Sequence, residues 1–221
     1  HDGSPYAEQL GQEFTKNFEA LDGQIVAAEA VNVGDTDMRP VLTRIAAGGP
    51  ELIYWSGFVA EGGYLAAQMP DVGMDKVLFM GADGISALEF IKAAGARAEG
   101  VYASAGSPAE AGPDLPKFLE AYEKTYGEQP IAPFHAHAYD AAMVILNAVE
   151  KVGKVDADGN LLIGRKALNE AIRGTKGYQG LTGTINCDEN GDCGTGTVAV
   201  SIVKGGQWVA AEAPAAAAPP A

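Results

Sequence analysis

The sequence predicts an α/β fold built on a parallel sheet with helices on both faces. Three observations lead there. Two apolar runs, Leu52-Ile53-Tyr54-Trp55 and Val77-Leu78-Phe79-Met80, have the length of strands, and the second reads as one buried on both faces. Each run ends in a glycine-containing turn, Ser56-Gly57-Phe58 or Gly81-Ala82-Asp83-Gly84, and a helical pattern follows. The alternation of strand, turn and helix then continues to Ser104, as a parallel sheet requires. Open sheets of this kind bind ligands beyond the C-terminal ends of their strands. Two strand ends therefore bring Phe58 and Asp83 to one rim, where an apolar wall beside one anion suits a small ammonium-bearing ligand.

Residues 5 to 21 read as a helix: Pro5 suits its first turn, Leu10, Phe14, Phe18 and Leu21 mark an apolar face, and Asp22-Gly23 stops it. Gln24 to Val31 is strand-like. Asp37 can cap a second helix carrying Val41, Leu42 and Ile45 inward, ended by Gly48-Gly49-Pro50. A strand over 52–55, a helix from about Ala60 to Met69, a strand over 77–80, a helix over 86–94 and a strand over 100–104 complete this part. The pattern then changes. Helices are expected over Leu115–Tyr126 and from Pro133 to about Val152, the latter with Phe134, Ala138, Ala141, Ile145 and Val149 on one face. A turn at 156–159, a short helix over 165–173 and strand-like pieces at 182–186, 197–203 and 208–209 follow. The Ala/Pro-rich stretch over 213–221 is expected to be disordered.

At 221 residues the chain can form one large or two small domains, and nearly half of it is hydrophobic, enough for a sizeable core. A formal charge of −14 argues against nucleic acid and anionic membrane surfaces as partners. No apolar stretch approaches the length of a membrane span. The chain opens on His1-Asp2-Gly3 and so is expected to be processed or cut. The helix-rich block over 107–192 has almost no sheet against which to bury its helices. It reads as part of a second domain whose other strands lie elsewhere. The first domain opens on a helix where a βα unit would place a strand before it.

Cys187 and Cys193 flank five residues with Asn190-Gly191 among them, a spacing that lets the two sulfurs meet. A disulfide between them is the expected reading, with two free thiols the alternative; a bond would imply an oxidising compartment. Two cysteines are too few for a structural zinc site. His135 and His137, two apart on a helix, point in different directions and cannot share an ion. Asp188-Glu189-Asn190-Gly191-Asp192 lacks the spacing of a calcium loop and reads as an acidic turn. Ser56-Gly57 lacks the nucleophile-elbow pattern, and neither a dinucleotide fingerprint nor a P-loop is present, so no cofactor is expected.

In order and spacing, HDGSPYAEQLGQEF, GDTDMRPVLTRI, ELIYWSGF, FMGADG, AEGVY, AYDAAMVILNAVEK and LTGTINCDENGD together resemble the periplasmic branched-chain amino-acid binding proteins, from His1 to about Val209. These are solute-binding subunits of ABC importers with the type I periplasmic-binding fold, two α/β lobes that close on a ligand. The resemblance implies that residues 1–105 with 195–209 form one lobe and 107–192 the C-terminal portion of the other. The N-terminal part of that other lobe is absent here and would come from the same precursor. It further implies that Tyr6 lines the cleft and that Asp83, where a carboxylate (commonly glutamate) is usual, takes the ligand's ammonium. Phe58 falls where leucine-type binders often carry tyrosine, and Phe134 matches an aromatic that approaches from the other lobe. From the residues alone, Asp83 could equally cap a helix or close a turn, Tyr6 could be a surface aromatic, and Phe58, Phe134 and Trp55 could be core.

The functional expectation is an extracytoplasmic solute-binding protein, periplasmic or extracellular, anchored to the membrane or not through the absent N-terminal region. It would deliver a small amino acid or related metabolite to the membrane subunits of an ABC importer. A ligand-sensing domain of a receptor or regulator shares the fold and is the alternative. An α/β enzyme is disfavoured because no nucleophile–base pair is visible.

Overall fold

The computed structural model describes residues 1–106, 112–132, 134–194 and 198–212. The stretch over 213–221, expected to be disordered, and Pro133, expected to open a helix, lie outside the described residues. The chain divides into two compact units, His1–Ala105 with Val198 onward, and Gly106–Thr197.

Helix α1, Pro5–Ala20, starts where Ser4 accepts a hydrogen bond from the Ala7 amide at 3.2 Å and proline supplies a preset first turn. The segment over 24–31, expected to be a strand, forms neither helix nor strand and joins no ladder among the described residues. Its backbone meets another segment at one point only among the described residues, where His1 bonds Glu29 and Val31. Without a neighbouring strand, β-propensity alone does not make a sheet. Helix α2, Arg39–Ala46, has Met38 rather than Asp37 at its cap, and the Asp37 carboxylate pairs with the Arg39 guanidinium at 2.7 Å. Strand β1, Leu52–Trp55, and helix α3, Val59–Gln68, lie where expected.

Strand β2, Leu78–Gly81, is one residue later than the apolar run suggested, and it is not buried on both faces, since Leu78 is 53% exposed. Helix α4, Leu88–Ala94, begins two residues late because Asp83–Ile85 makes a short 3-10 turn first. Strand β3 follows at Tyr102–Gly106.

In the second unit, α5, Leu115–Tyr126, α6, His135–Val152, and α7, Arg165–Arg173, match their expected positions. The short strands β4, Lys154–Val155, and β5, Leu161–Leu162, pair about the turn at 156–159. Strands β6, Tyr178–Gly180, β7, Gly183–Cys187, and β8, Cys193–Gly194, form an antiparallel meander. Along α6 the buried row is Ala136, Asp140, Val144 and Ala148, while Phe134 and Ile145 from the expected apolar face are 42% and 46% exposed. Two rows at the same helical spacing competed, and the polar residue in one of them concealed it. Asp140, 1% exposed, is buried because its carboxylate is fully engaged. Oδ1 accepts from the Leu181 amide at 2.8 Å, and Oδ2 accepts from the amide and hydroxyl of Thr182, both at 2.8 Å. Gly180 permits this approach: a Cβ there would stand 2.5 Å from Oδ2.

The chain returns to the first unit in β9, Val198–Lys204, and β10, Gln207–Ala210, an antiparallel hairpin about Gly205-Gly206. The sheet order is β1-β2-β3-β9-β10, with β1–β2 and β2–β3 parallel, so the parallel sheet expected from the sequence is a mixed one. Its core joins Leu42 of α2, Trp55, Leu65, Phe79, Ile85, Phe90 and Val203. The Phe90 ring lies 6.1 Å from Phe79 and 6.0 Å from Trp208, whose indole N–H donates to the Ala87 carbonyl at 3.1 Å.

Cys187 and Cys193 are bonded to each other, as expected from their spacing. The acidic turn they enclose is organised by Asp188, whose Oδ1 accepts from the amides of Asn190 and Asp192 at 2.9 Å each. Those amides hold its carboxyl below the usual range.

Two stability predictions follow from the second unit. Asp140→Ala strands two buried amides and a hydroxyl, so urea unfolding should show a loss of about 3 kcal/mol or more, and Asp140→Asn a smaller one. Reducing Cys187–Cys193 should cost about 2 kcal/mol by chain entropy for so short a loop. Intact mass should show no alkylation of either sulfur until reductant is added.

Candidate functional site

Three of the four residues expected to contact a ligand meet on the first unit, at the rim beyond β1 and β2. Phe58 stands at the start of α3, where its carbonyl accepts the Trp55 indole N–H at 2.9 Å; Trp55 itself is core. Asp83 opens the 3-10 turn after β2. Its backbone carbonyl accepts the Ser86 amide, while its side chain caps no helix, since α4 begins at Leu88 behind Ala87. The Asp83 carboxylate instead accepts the hydroxyl of Tyr6, from the first turn of α1. The Tyr6 ring stacks on Phe58 with centroids 5.7 Å apart and 29° between planes. Both rings are more than a third exposed, so the group offers two aromatic faces and one anion to solvent.

Gly84 makes this geometry feasible. A Cβ there would lie 2.5 Å from the Gly57 carbonyl oxygen and 3.2 Å from the Phe58 ring. The turns after β1 and β2 can therefore approach only because Gly84 lacks a side chain.

The phenol of Tyr6 is held above the ordinary tyrosine range, first by burial, then by its hydrogen bond to Asp83 and by that carboxylate's charge. Tyr54, in β1, was legible only as part of an apolar strand, yet it belongs to the same electrostatic group. Its phenol is raised by burial and by the Asp83 charge, against a hydrogen bond with Ser104. The Phe14 ring stacks on the Tyr54 ring, with centroids 3.9 Å apart and planes nearly parallel. Strand alternation was the available signal, because Tyr54 falls on the opposite side from Ile53 and Trp55.

Phe134 is on the second unit, at the residue preceding α6, and is exposed there. His135 Nδ1 bonds the Ala132 carbonyl at 2.9 Å. Among the described residues, no group of three metal-ligating side chains converges, and no helix is long and apolar enough to cross a membrane.

A family model described as periplasmic binding protein matches residues 1–207, and the chain belongs to that family. Among curated proteins it is 29% identical over 192 residues to a leucine-, isoleucine-, valine-, threonine- and alanine-binding protein of Pseudomonas aeruginosa, covering 87% of this chain and 48% of that protein. A Leu/Ile/Val-binding protein homologue of Brucella suis is 27% identical over 87% of this chain and 49% of its own length. Among solved structures, a leucine-binding protein of Thermotoga maritima superposes with a TM-score of 0.82 at 32% identity, covering 95% of this chain and 57% of that one. A branched-chain amino-acid transporter substrate-binding protein of Streptococcus pneumoniae, in complex with isoleucine, gives 0.77 at 28% identity, over 95% and 56% of the two chains. The chain thus spans about half the length of the curated relatives it matches.

The Tyr6–Asp83 bond has a pH signature. A phenol whose pKa is raised on folding contributes stability that is fully present below the ordinary tyrosine value, about 10, and is lost as pH rises from there through the raised value. Tyr6→Phe keeps the ring stack but removes the proton. In thermal melts between about pH 8 and pH 11, the stability difference between parent and variant should shrink as pH rises. A difference that stays constant across the range would dismiss the coupling.

Proposed function

We propose that this chain is the C-terminal part of an extracytoplasmic solute-binding subunit that delivers a small amino acid, of branched-chain type, to the membrane subunits of an ABC importer. One observation carries the reading. A carboxylate at the strand-end rim is flanked by two exposed aromatic rings, in a chain whose family and relatives are binding proteins. Asp83 would take the ligand's ammonium, Tyr6 would steady that carboxylate, and Phe58 would cover the aliphatic side chain. Phe134 is kept as a proposed contact on the resemblance alone. No bond is broken in this scheme, and a periplasmic or extracellular location goes with it, in keeping with the Cys187–Cys193 bond. The division into a lobe over 1–105 with 195–209 and part of another over 107–192 is proposed with it.

Calorimetric titration of the full-length protein with leucine, isoleucine, valine and alanine tests the reading, and at least one should bind. A charge-assisted hydrogen bond is worth about 1.5–3 kcal/mol. Asp83→Asn, which keeps the shape and removes the charge, should therefore weaken binding roughly ten- to a hundredfold, since about 1.4 kcal/mol is tenfold. Its melting without ligand should change little. Unchanged affinity in the variant would sink Asp83 as the anchor, and chemical conversion of the ligand would restore the enzyme reading.

A further inference from the structure

We infer that Asn190 is a modification site, an asparagine that deamidates once the Cys187–Cys193 loop opens and is kept unreactive while that loop is closed. Asn190-Gly191 is the one Asn-Gly step in the sequence, and glycine, having no side chain, hinders the reaction least. Asn190 is exposed, so water reaches it. Two groups must meet. The Gly191 backbone nitrogen attacks the side-chain carbon Cγ of Asn190 and loses its proton; the Cγ–Nδ2 bond breaks, and ammonia leaves with that proton. Water then adds to one of the two carbonyls of the cyclic imide, and the ring opens to aspartate or to isoaspartate. The sum is asparagine plus water giving the acid plus ammonia, with no change of oxidation state.

Both reacting groups are tied to Asp188. The Gly191 N–H donates to the Asp188 carbonyl at 3.2 Å, and Asn190 Nδ2 lies 3.4 Å from Asp188 Oδ2. Asp188 Oδ1 holds the Asn190 and Asp192 amides as well, and the Asp188 amide donates to the Asp192 carbonyl at 2.8 Å. Cys187 and Cys193 face each other in the β7–β8 ladder, and their bond closes this turn. Arg173 of α7 fastens it from outside, donating to the Glu189 carbonyl at 2.9 Å. To attack, the Gly191 nitrogen must leave its acceptor, and the closed turn resists that movement. Charge adds to the restraint. A nitrogen losing its proton develops negative charge beside Asp188, Glu189 and Asp192, which like charges disfavour. Arg173, which a Cβ on Gly191 would meet at 3.5 Å, is the opposing cation.

A thiol reductant supplies two electrons and two protons, converts the bond to two thiols and frees the ends of the turn to separate. Local opening of this kind sets the rate of a reaction that the closed form forbids. The product then works against closure. A new carboxylate replaces the amide that faced Asp188, and isoaspartate lengthens the backbone by one carbon between two cysteines that must stay in register. Residue 190 therefore records the time a molecule has spent reduced.

The test incubates the full-length protein in mildly alkaline buffer, either oxidised or reduced with dithiothreitol. The tryptic peptide Gly177–Lys204 is then followed by mass, with fragmentation assigning any gain to its residue. Conversion at Asn190 should run roughly tenfold faster or more in the reduced protein, since about 1.4 kcal/mol of lost restraint is tenfold. Isoaspartate should appear there beside aspartate, and Asn190→Ser should abolish the gain. Asp188→Ala with the disulfide intact separates loosening of the turn from any wider unfolding on reduction, and it too should convert several-fold faster than the parent. Equal rates in oxidised and reduced protein would overturn the proposal. So would a parent-like rate in Asp188→Ala, or a mass gain confined to another asparagine.

Discussion

Parallel pairing of β1, β2 and β3 is the constraint on which the first unit depends. Strands that run the same way cannot be joined by hairpins, so each must return across the sheet through a helix. That return buries the core, where Leu65 of α3 and Phe90 of α4 pack with Trp55 and Phe79 of the strands. It also delivers every strand's C-terminal end to one rim. The turns after β1 and β2 then crowd each other, and the fold accommodates them with a glycine rather than with distance. Placement of Phe58 and Asp83 is thus a by-product of topology.

The second unit rests on a different device. Its helices and short strands have few large buried side chains, and a buried carboxylate takes their organising role. Asp140 binds consecutive amides at the turn between β6 and β7, which pins that hairpin to α6. The same carboxylate explains why α6 buries the row it does. A charge that has satisfied its acceptors can enter a core, and its neighbours at helical spacing enter with it.

What could be read in advance follows from the range of the physics involved. Helices α1, α5 and α7 were legible because caps, prolines and local periodicity fix them within their own residues. The rim was legible because strand ends announce themselves with glycine, although the ring of Tyr54 and the hydroxyl of Tyr6 on Asp83 were not. Those depend on elements about 50 and 77 residues apart in the chain, a separation no local pattern encodes. The inward face of α6 was misread because hydrophobicity ranks Ile145 above Asp140, whereas burial depends on partners. Residues 24–31 show the converse: their composition suits a sheet, but among the described residues His1 alone offers them a rung.

The bond between Tyr6 and Asp83 also sets a rule of exchange. The carboxylate already has a donor, so any newcomer is weighed against a phenol and not against empty space. A neutral hydroxyl or amide arriving there would trade one hydrogen bond for another of the same kind and gain almost nothing. An ammonium brings a full charge as well as its protons, and can win the trade or share the oxygen pair. If Asp83 takes a ligand's ammonium as proposed, the resident phenol would act as a threshold that favours a cation over a neutral polar group.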